Sequence, residues 1–273
     1  MQIKARDISI IKATAIYSPG KKLPISVAII TKNEERNLPA CLESVWCADE
    51  VIVVDSGSTD KTLEIAKQYG CRVFEEEWKG YGLQKQSAVD KCLNEWILII
   101  DADETIPEET WKEIERVLTQ DDGSFDAYFF PRKNLYMGKW LKHGYKWPDP
   151  VTRLFKKGKG KLCGSIVHEC VVASKVKGLN VPIVHALNDS SLDKYLSKLN
   201  TYSSLLAKIA HENGKKGTAL KAATSFLAHF FKIYILKKGV LDGREGFIVN
   251  FTEALNTFFK YLKLIELEEN NYR

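Results

Sequence analysis

The sequence predicts an α/β fold in which parallel strands alternate with helices to build an open sheet, followed by a helical C-terminal extension. Three observations predict it. Over the first hundred residues, short apolar runs alternate with stretches of helical periodicity. The principal runs, residues 25–30, 50–54 and 96–100, each stop at a polar cluster. From residue 190 onward, helical spacing takes over. Such alternation marks βαβ units, whose ligands sit beyond the carboxyl ends of the strands.

Taken in order, residues 25–30 form the first buried strand, and "TKNEERNLPACLESVW" follows with Leu38, Leu42 and Val45 at helical spacing. Residues 50–54 are a second apolar run. The "DSGSTD" after it is a turn in which Asp60 is placed to cap a helix reaching Ala66. Gly70 stops that helix, and residues 71–74 make a short third strand. "GLQKQSAVDKCL" is helical, and residues 96–100 are the fourth strand. Beyond Pro107 a helix over residues 111–118 leads into "DAYFFPRKNLYMGKWLKHGYKWPDPVTRLF", an aromatic, basic segment of strand and loop. "CGSIVHECVV" reads as a strand through His168 and Glu169, and residues 181–185 as a last strand. Helices are expected near 191–213, 218–237 and 246–265, the last with Phe247, Phe251, Leu255, Phe258 and Leu262 on one face.

Composition narrows the class. With 273 residues, 45% apolar and 27% charged, the chain can bury a sizeable core. No uninterrupted apolar stretch approaches the ~20 residues that span a bilayer, and no signal peptide is expected. Six cysteines without a C-x-x-C pair fit reduced thiols better than a zinc site or a disulfide framework. The net charge of +5 conceals an asymmetry. Residues 1–131 hold 15 Lys/Arg against 24 Asp/Glu, whereas residues 132–161 hold ten against Asp149 alone. A basic block that dense favours a polyanionic partner.

The stretch "IDADET" carries the chemistry. An apolar strand runs straight into Asp101 and Asp103, and residues two apart on a strand share a face. Two carboxylates held that close repel unless a cation lies between them, so a metal site at the strand end is expected. Thr31–Glu34 and Asp55–Asp60 fall at the ends of the first two strands, so three polar clusters should meet on one edge. Thr31 could instead cap the helix after it, and Lys85 could be a solvated helix lysine.

"VAIITKNEERNL", "VIVVDSGSTDKT" and "ILIIDADE" resemble, in order and spacing, the family 2 glycosyltransferases of the GT-A fold, a Rossmann-like open mixed sheet flanked by helices. "WPDPVTRLFKKGKGKLCGSIVHE" and "LKKGVLDGREGF" resemble the branch that builds lipopolysaccharide core. The resemblance implies an N-terminal extension (1–24), a catalytic domain (25–187) and a helical region (188–273). Within the catalytic domain it implies a nucleotide-sugar half (25–105) and an acceptor half (106–187). It implies that Asp103 binds Mg²⁺ or Mn²⁺ and that Asp101 lies by the ribose and metal. Asp55 would accept the uracil imide N–H, Thr31 and Glu34 would contact the nucleoside, and Lys85 would lie near the donor. His168 is a candidate third metal ligand or acceptor contact. The glutamate–aspartate and Gln-x-x-Arg-Trp motifs of other members are absent, so the catalytic base rests on Glu169, with Asp149 second.

The implied reaction is inverting transfer of a hexose, with UDP-glucose as donor and a phosphorylated or acidic glycolipid as acceptor. Alternatives are transfer to a polyprenyl phosphate or another cell-surface glycan, a nucleotidyltransferase and a non-catalytic binding module. A nucleotidyltransferase would want a glycine- and lysine-rich loop that "TKNEERN" does not supply. Nucleic acid is not an expected partner. Phe226, Phe230, Ile233 and Leu236, followed by lysines 237 and 238, form a helical stripe suited to the anionic cytoplasmic face of the membrane. The alternative is that this stripe packs inside the protein.

Overall fold

The computed structural model describes residues 22–136, 138–163, 170–186 and 192–270. His168, Glu169 and most of the expected N-terminal extension lie outside them. The chain forms two compact units, one of residues 1–132 with 150–188 and one of residues 133–149 with 189–273. Residues 133–149 therefore belong with the helical unit and not with the acceptor half expected around them.

In the first unit, β1 (Leu23–Thr31), β2 (Ala48–Asp55), β3 (Arg72–Glu75) and β4 (Trp96–Asp101) lie in the order β3-β2-β1-β4, all parallel. The crossovers are α1 (Leu38–Ser44), α2 (Thr62–Gln68) and α3 (Tyr81–Asp90). Because helices cover both faces, the central strands are apolar at nearly every position. Val27, Ile29 and Leu98 join Leu38 and Leu42 of α1 in one cluster with Trp111 and Ile114 of α4 (Glu108–Thr119). Ala28, Ile52, Ile97 and Ile99 pack on Ala88 and Val89 of α3 in the other.

The remaining strands are β5 (Glu104–Thr105), β6 (Ala127–Tyr136), β7 (Lys139–Trp140), β8 (Asp149–Lys156), β9 (Lys161–Leu162), β10 (Val171–Val172), β11 (Val176–Gly178) and β12 (Ile183–Ala186). β8 runs antiparallel to β4, and the sheet continues β8-β6-β12-β5. The sheet is therefore mixed. β12 pairs antiparallel with β5, setting His185 opposite Glu104. Two-residue strands have no periodicity to read, so this pairing has no sequence signature. Of "CGSIVHECVV", Cys163, Cys170 and β10 fall among the described residues.

The second unit holds α5 (Leu192–Glu212), α6 (Ala219–Phe230), one π-helical turn (Phe231–Leu236), a 3₁₀ turn (Gly239–Asp242) and α7 (Gly243–Asn270). "LKKGVLDGREGF" has a structural task here. Asp242, 3% exposed, accepts the N–H groups of Lys142 and His143 at 3.0 and 2.9 Å and the His143 Nδ1 hydrogen at 2.9 Å. Asn250 Oδ1 takes the Tyr145 N–H at 2.9 Å. Gly144 has φ +74°, and a Cβ there would fall 2.5 Å from Asn250, so only glycine fits. Asp242 of the motif and Asn250 just beyond it thus anchor residues 142–145.

The expected membrane stripe is corrected. Phe226 and Phe230 pack edge-on against Phe251 of α7 at 5.5 and 5.8 Å, and Ile233 is buried. Only Leu236 of the four stands exposed.

Candidate active site

The carboxyl ends of β1, β2 and β4 are level, because Thr31 pairs with Asp55 and Ile30 with Asp101 in the sheet register. The three polar clusters therefore meet on one edge.

Asp55 is fully buried. Its Oδ1 accepts the N–H groups of Gly57 and Ser58 at 2.9 and 2.8 Å, and its Oδ2 accepts the hydroxyls of Thr31, at 3.0 Å, and Ser58. Four donors from its own chain hold this carboxylate, so its first role is to shape the turn. Thr31 spends its hydroxyl on Asp55, not on the helix after it. Next to them, the buried Ser56 Oγ has no partner among the described residues.

The loops after β1 and β2 are zipped together. Asn33, at φ +57°, donates its N–H to Ser58 Oγ at 2.8 Å and accepts the Thr59 N–H at 2.8 Å. The Glu34 N–H reaches Thr62 Oγ1 at 2.8 Å, while its carboxylate takes the Asn37 amide at 2.8 Å. Asp60 accepts the first N–H of α2, from Thr62 at 3.0 Å, and the Glu35 N–H at 3.1 Å. It ties two loops as well as a helix end.

The strand carrying the aspartates stops at Asp101, and residues 102–103 turn. The two carboxylates therefore do not share a strand face, and the protein supplies its own cations to the first. Lys85 Nζ lies 2.7 Å from Asp101 Oδ1 and Arg153 Nη2 lies 2.6 Å from Oδ2. Lys85 is buried because it precedes Ala88 and Val89 by one helical turn on the sheet-facing side of α3. It is not a solvated lysine. Arg153 also holds Glu104 Oε1 at 2.7 Å, Arg132 holds the same oxygen at 3.1 Å, and Glu104 Oε2 accepts the Asp101 N–H at 3.0 Å. Burial pushes the Asp101 carboxyl up, but the Arg153 guanidinium and Lys85 ammonium outweigh it and hold the group well below the usual carboxylate range. Burial pulls Arg153 down, and Asp101 and Glu104 more than restore it.

Asp103 points to a different partner. His185 Nε2 lies 3.1 Å from its Oδ2, brought there by the β5–β12 pairing. Among the described residues no third His, Cys, Asp or Glu joins them as a metal cluster.

The family model for glycosyl transferase family 2 matches residues 26–176 of this chain. The chain is a family 2 glycosyltransferase. This glycosyltransferase is 34% identical to an uncharacterized glycosyltransferase of Rickettsia bellii, over 89% of this chain and 86% of that one. It is 30% identical to the lipopolysaccharide core biosynthesis glycosyltransferase LpsC of Rhizobium meliloti, over 90% of this chain and 93% of that one. Its fold is similar to that of the mannosyltransferase PcManGT from Pyrobaculum calidifontis, solved with GDP-Man and Mn²⁺. That match has a TM-score of 0.57 at 15% identity, covering 95% of this chain and 92% of that one.

In this glycosyltransferase Thr31, Asp55, Lys85, Asp101 and Asp103 come together at the strand ends, with Glu34 on the adjoining loop. Asp149 belongs to the second unit, where its Oδ2 accepts the Asn134 amide at 3.2 Å. Sequence reading missed Glu104, Arg153, Arg132 and His185. Arg153 had a signal, since a charge inside an otherwise apolar strand must be paired to be buried. The donor set suits a hard divalent cation. Asp103 is a carboxylate about one-third exposed beside an imidazole nitrogen, and Mg²⁺ and Mn²⁺ take few protein ligands when substrate phosphates supply the rest.

Proposed function

We propose that this protein is an inverting, metal-dependent hexosyltransferase that moves glucose from UDP-glucose onto lipopolysaccharide inner core at the cytoplasmic membrane face. The observation that carries the reading is the Asp103–His185 pair beside the Lys85–Asp101–Arg153 cluster. A carboxylate and an imidazole stand side by side at the strand ends, and a neighbouring carboxylate is already neutralised by fixed positive charge. That environment suits a diphosphate leaving group. Similarity over most of the chain to LpsC, named for lipopolysaccharide core biosynthesis, supports the acceptor class. Of the ten basic residues between 132 and 161, Arg132 and Arg153 are spent on Glu104 and Asp101, and the eight lysines are in keeping with a phosphorylated or acidic glycolipid.

A divalent cation bound by Asp103 and His185 would neutralise charge on the departing diphosphate. Lys85 and Arg153 fix Asp101, and Glu104 holds the turn that presents Asp103. Asp55 shapes the loop whose Ser56 hydroxyl is offered to the nucleoside, with Thr31 and Glu34 setting the loop's path. The acceptor hydroxyl attacks the anomeric carbon from the face opposite the diphosphate. The bond from that carbon to the phosphate oxygen breaks, UDP leaves with the electron pair, and the hydroxyl proton passes to a carboxylate. Glu169 is assigned that role, with Asp149 as its rival.

The test is incubation of purified protein with UDP-glucose, Mn²⁺ and core oligosaccharide from a deletion strain. Transfer with inversion at the anomeric carbon, read by NMR, is the expected result. Full activity in excess chelator, or retained configuration, would overturn the mechanism. A deletion strain whose core lacks no hexose would overturn the acceptor.

A further inference from the structure

A helix packed on a single neighbour needs one apolar face, and α6 has two. Ala222, Phe226 and Phe230, with Ile233 of the π-helical turn that continues the helix, form the inward face, with Phe226 and Phe230 against α7. At about 100° per residue, Leu220 and Leu227 lie about 100–120° round the helix from Phe226, and Phe231 and Ile235 of the π-helical turn continue the same exposed side. They stand 74%, 62%, 55% and 46% exposed. Leu236, Val240 and Leu241 extend the exposed strip at 65%, 44% and 63%. Single exposed leucines are ordinary, but a continuous strip over residues 220–241 marks an interaction surface.

Its charge names the occupant. Residues 213–241 contain lysines 215, 216, 221, 232, 237 and 238 and no Asp or Glu. All six lysines are exposed. We propose that this strip is a membrane-binding surface that lies in the plane of an anionic leaflet, with its leucines and Phe231 among the acyl chains and its lysines on lipid phosphates. A leaflet of negative headgroups meets both parts of the strip at once. A second copy of the chain would not, because a two-fold contact sets the lysines against each other with no acid between them.

Crossing the membrane is the other possibility. The 18 residues of Ala219–Leu236 could reach across, at roughly 27 Å. That would carry Lys221 and Lys232 toward hydrocarbon and strip the inward face from the aromatic rings of α7. The surface is defined within the second unit alone and is independent of which sugar is transferred.

Flotation of the full chain with vesicles tests it. Protein should float with phosphatidylcholine–phosphatidylglycerol vesicles at low salt, stay behind with phosphatidylcholine alone, and come off at high salt or in a carbonate wash. Leu227→Ser with Phe231→Ser, and separately Lys232→Glu with Lys237→Glu and Lys238→Glu, should each reduce flotation to background while far-UV circular dichroism is unchanged. Lys157→Glu with Lys159→Glu and Lys161→Glu should still float. The proposal is overturned by no flotation on anionic vesicles, by equal flotation on neutral ones, or by flotation that only the last variant abolishes. Resistance to carbonate would indicate a span and overturn the in-plane position. A dimer that Leu227→Ser dissociates, without any flotation, would assign the strip to a second copy. None of these outcomes bears on sugar transfer in detergent, so the two readings fail separately.

Discussion

His185 Nε2 sits 3.1 Å from Asp103 Oδ2, although the two residues are 82 positions apart in the chain. The sheet, not the local sequence, makes this contact. It pairs a carboxylate on a turn with an imidazole on a four-residue strand, and it sets the first expectation.

Asp103→Asn should lower turnover by roughly two to four decades with the fold intact, the scale of losing preorganised charge stabilisation. His185→Ala should raise the Mn²⁺ concentration needed for half-maximal activity by about tenfold or more. Titration of activity against Mn²⁺ in both variants checks this. A His185→Ala enzyme with an unchanged metal requirement would remove His185 from the site.

The turn after β2 separates support from recognition. Asp55→Ala strands several buried donors and should cost about 2–3 kcal/mol of stability, visible as a lower Tm. Ser56→Ala should leave Tm in place but weaken UDP binding by about 0.5–1.5 kcal/mol, read by calorimetry. If Ser56→Ala binds UDP normally while Asp55→Asn loses it at an unchanged Tm, the aspartate itself reads the base.

The buried ionic cluster predicts an acid response. Burial raises the Asp101 pKa, but Arg153 and Lys85 depress it overall, so its contribution to stability is full above the ordinary carboxylate range near pH 4 and is lost as pH falls through the depressed value. Arg153→Met removes the strongest partner and leaves Asp101 and Glu104 short of countercharge. Stability should drop by about 3–5 kcal/mol, and the acid limb of a Tm–pH profile should move to higher pH. An acid limb that stays in place would show that Lys85 alone sets the Asp101 charge.

For the base, Glu169→Gln should collapse turnover while UDP affinity stays near wild type. Asp149→Asn should cost far less. The opposite pattern in paired turnover and calorimetry measurements would exchange their roles.

The parallel half of the fold was legible because its strands are apolar, its helices are periodic and its turns carry Gly and Asp. Observed β1, β2, β3 and β4 lie within two residues of the runs read from sequence. The site was less legible. Proximity of Asp101 and Asp103 was read as a metal signal, yet the chain turns after Asp101 and meets its charge with Lys85 and Arg153. No spacing rule announces an arginine from an antiparallel strand or a histidine from β12, since both depend on which strands become neighbours. The membrane stripe failed in a related way. Periodicity located the helix, but both faces are apolar and only packing shows which one is spent.

The order in which β5 and β12 are synthesised has a consequence of its own. At the usual ~5–20 residues per second, the ribosome adds His185 about 4–16 s after Asp103. Until then the nascent chain can assemble β3-β2-β1-β4 with the aspartate in place and no imidazole beside it. The family match ends at residue 176, so a fragment trimmed to that boundary would stay in this half-made state. The Asp103–His185 contact is therefore among the last of the first unit to form during biosynthesis and among the first to be lost by C-terminal truncation.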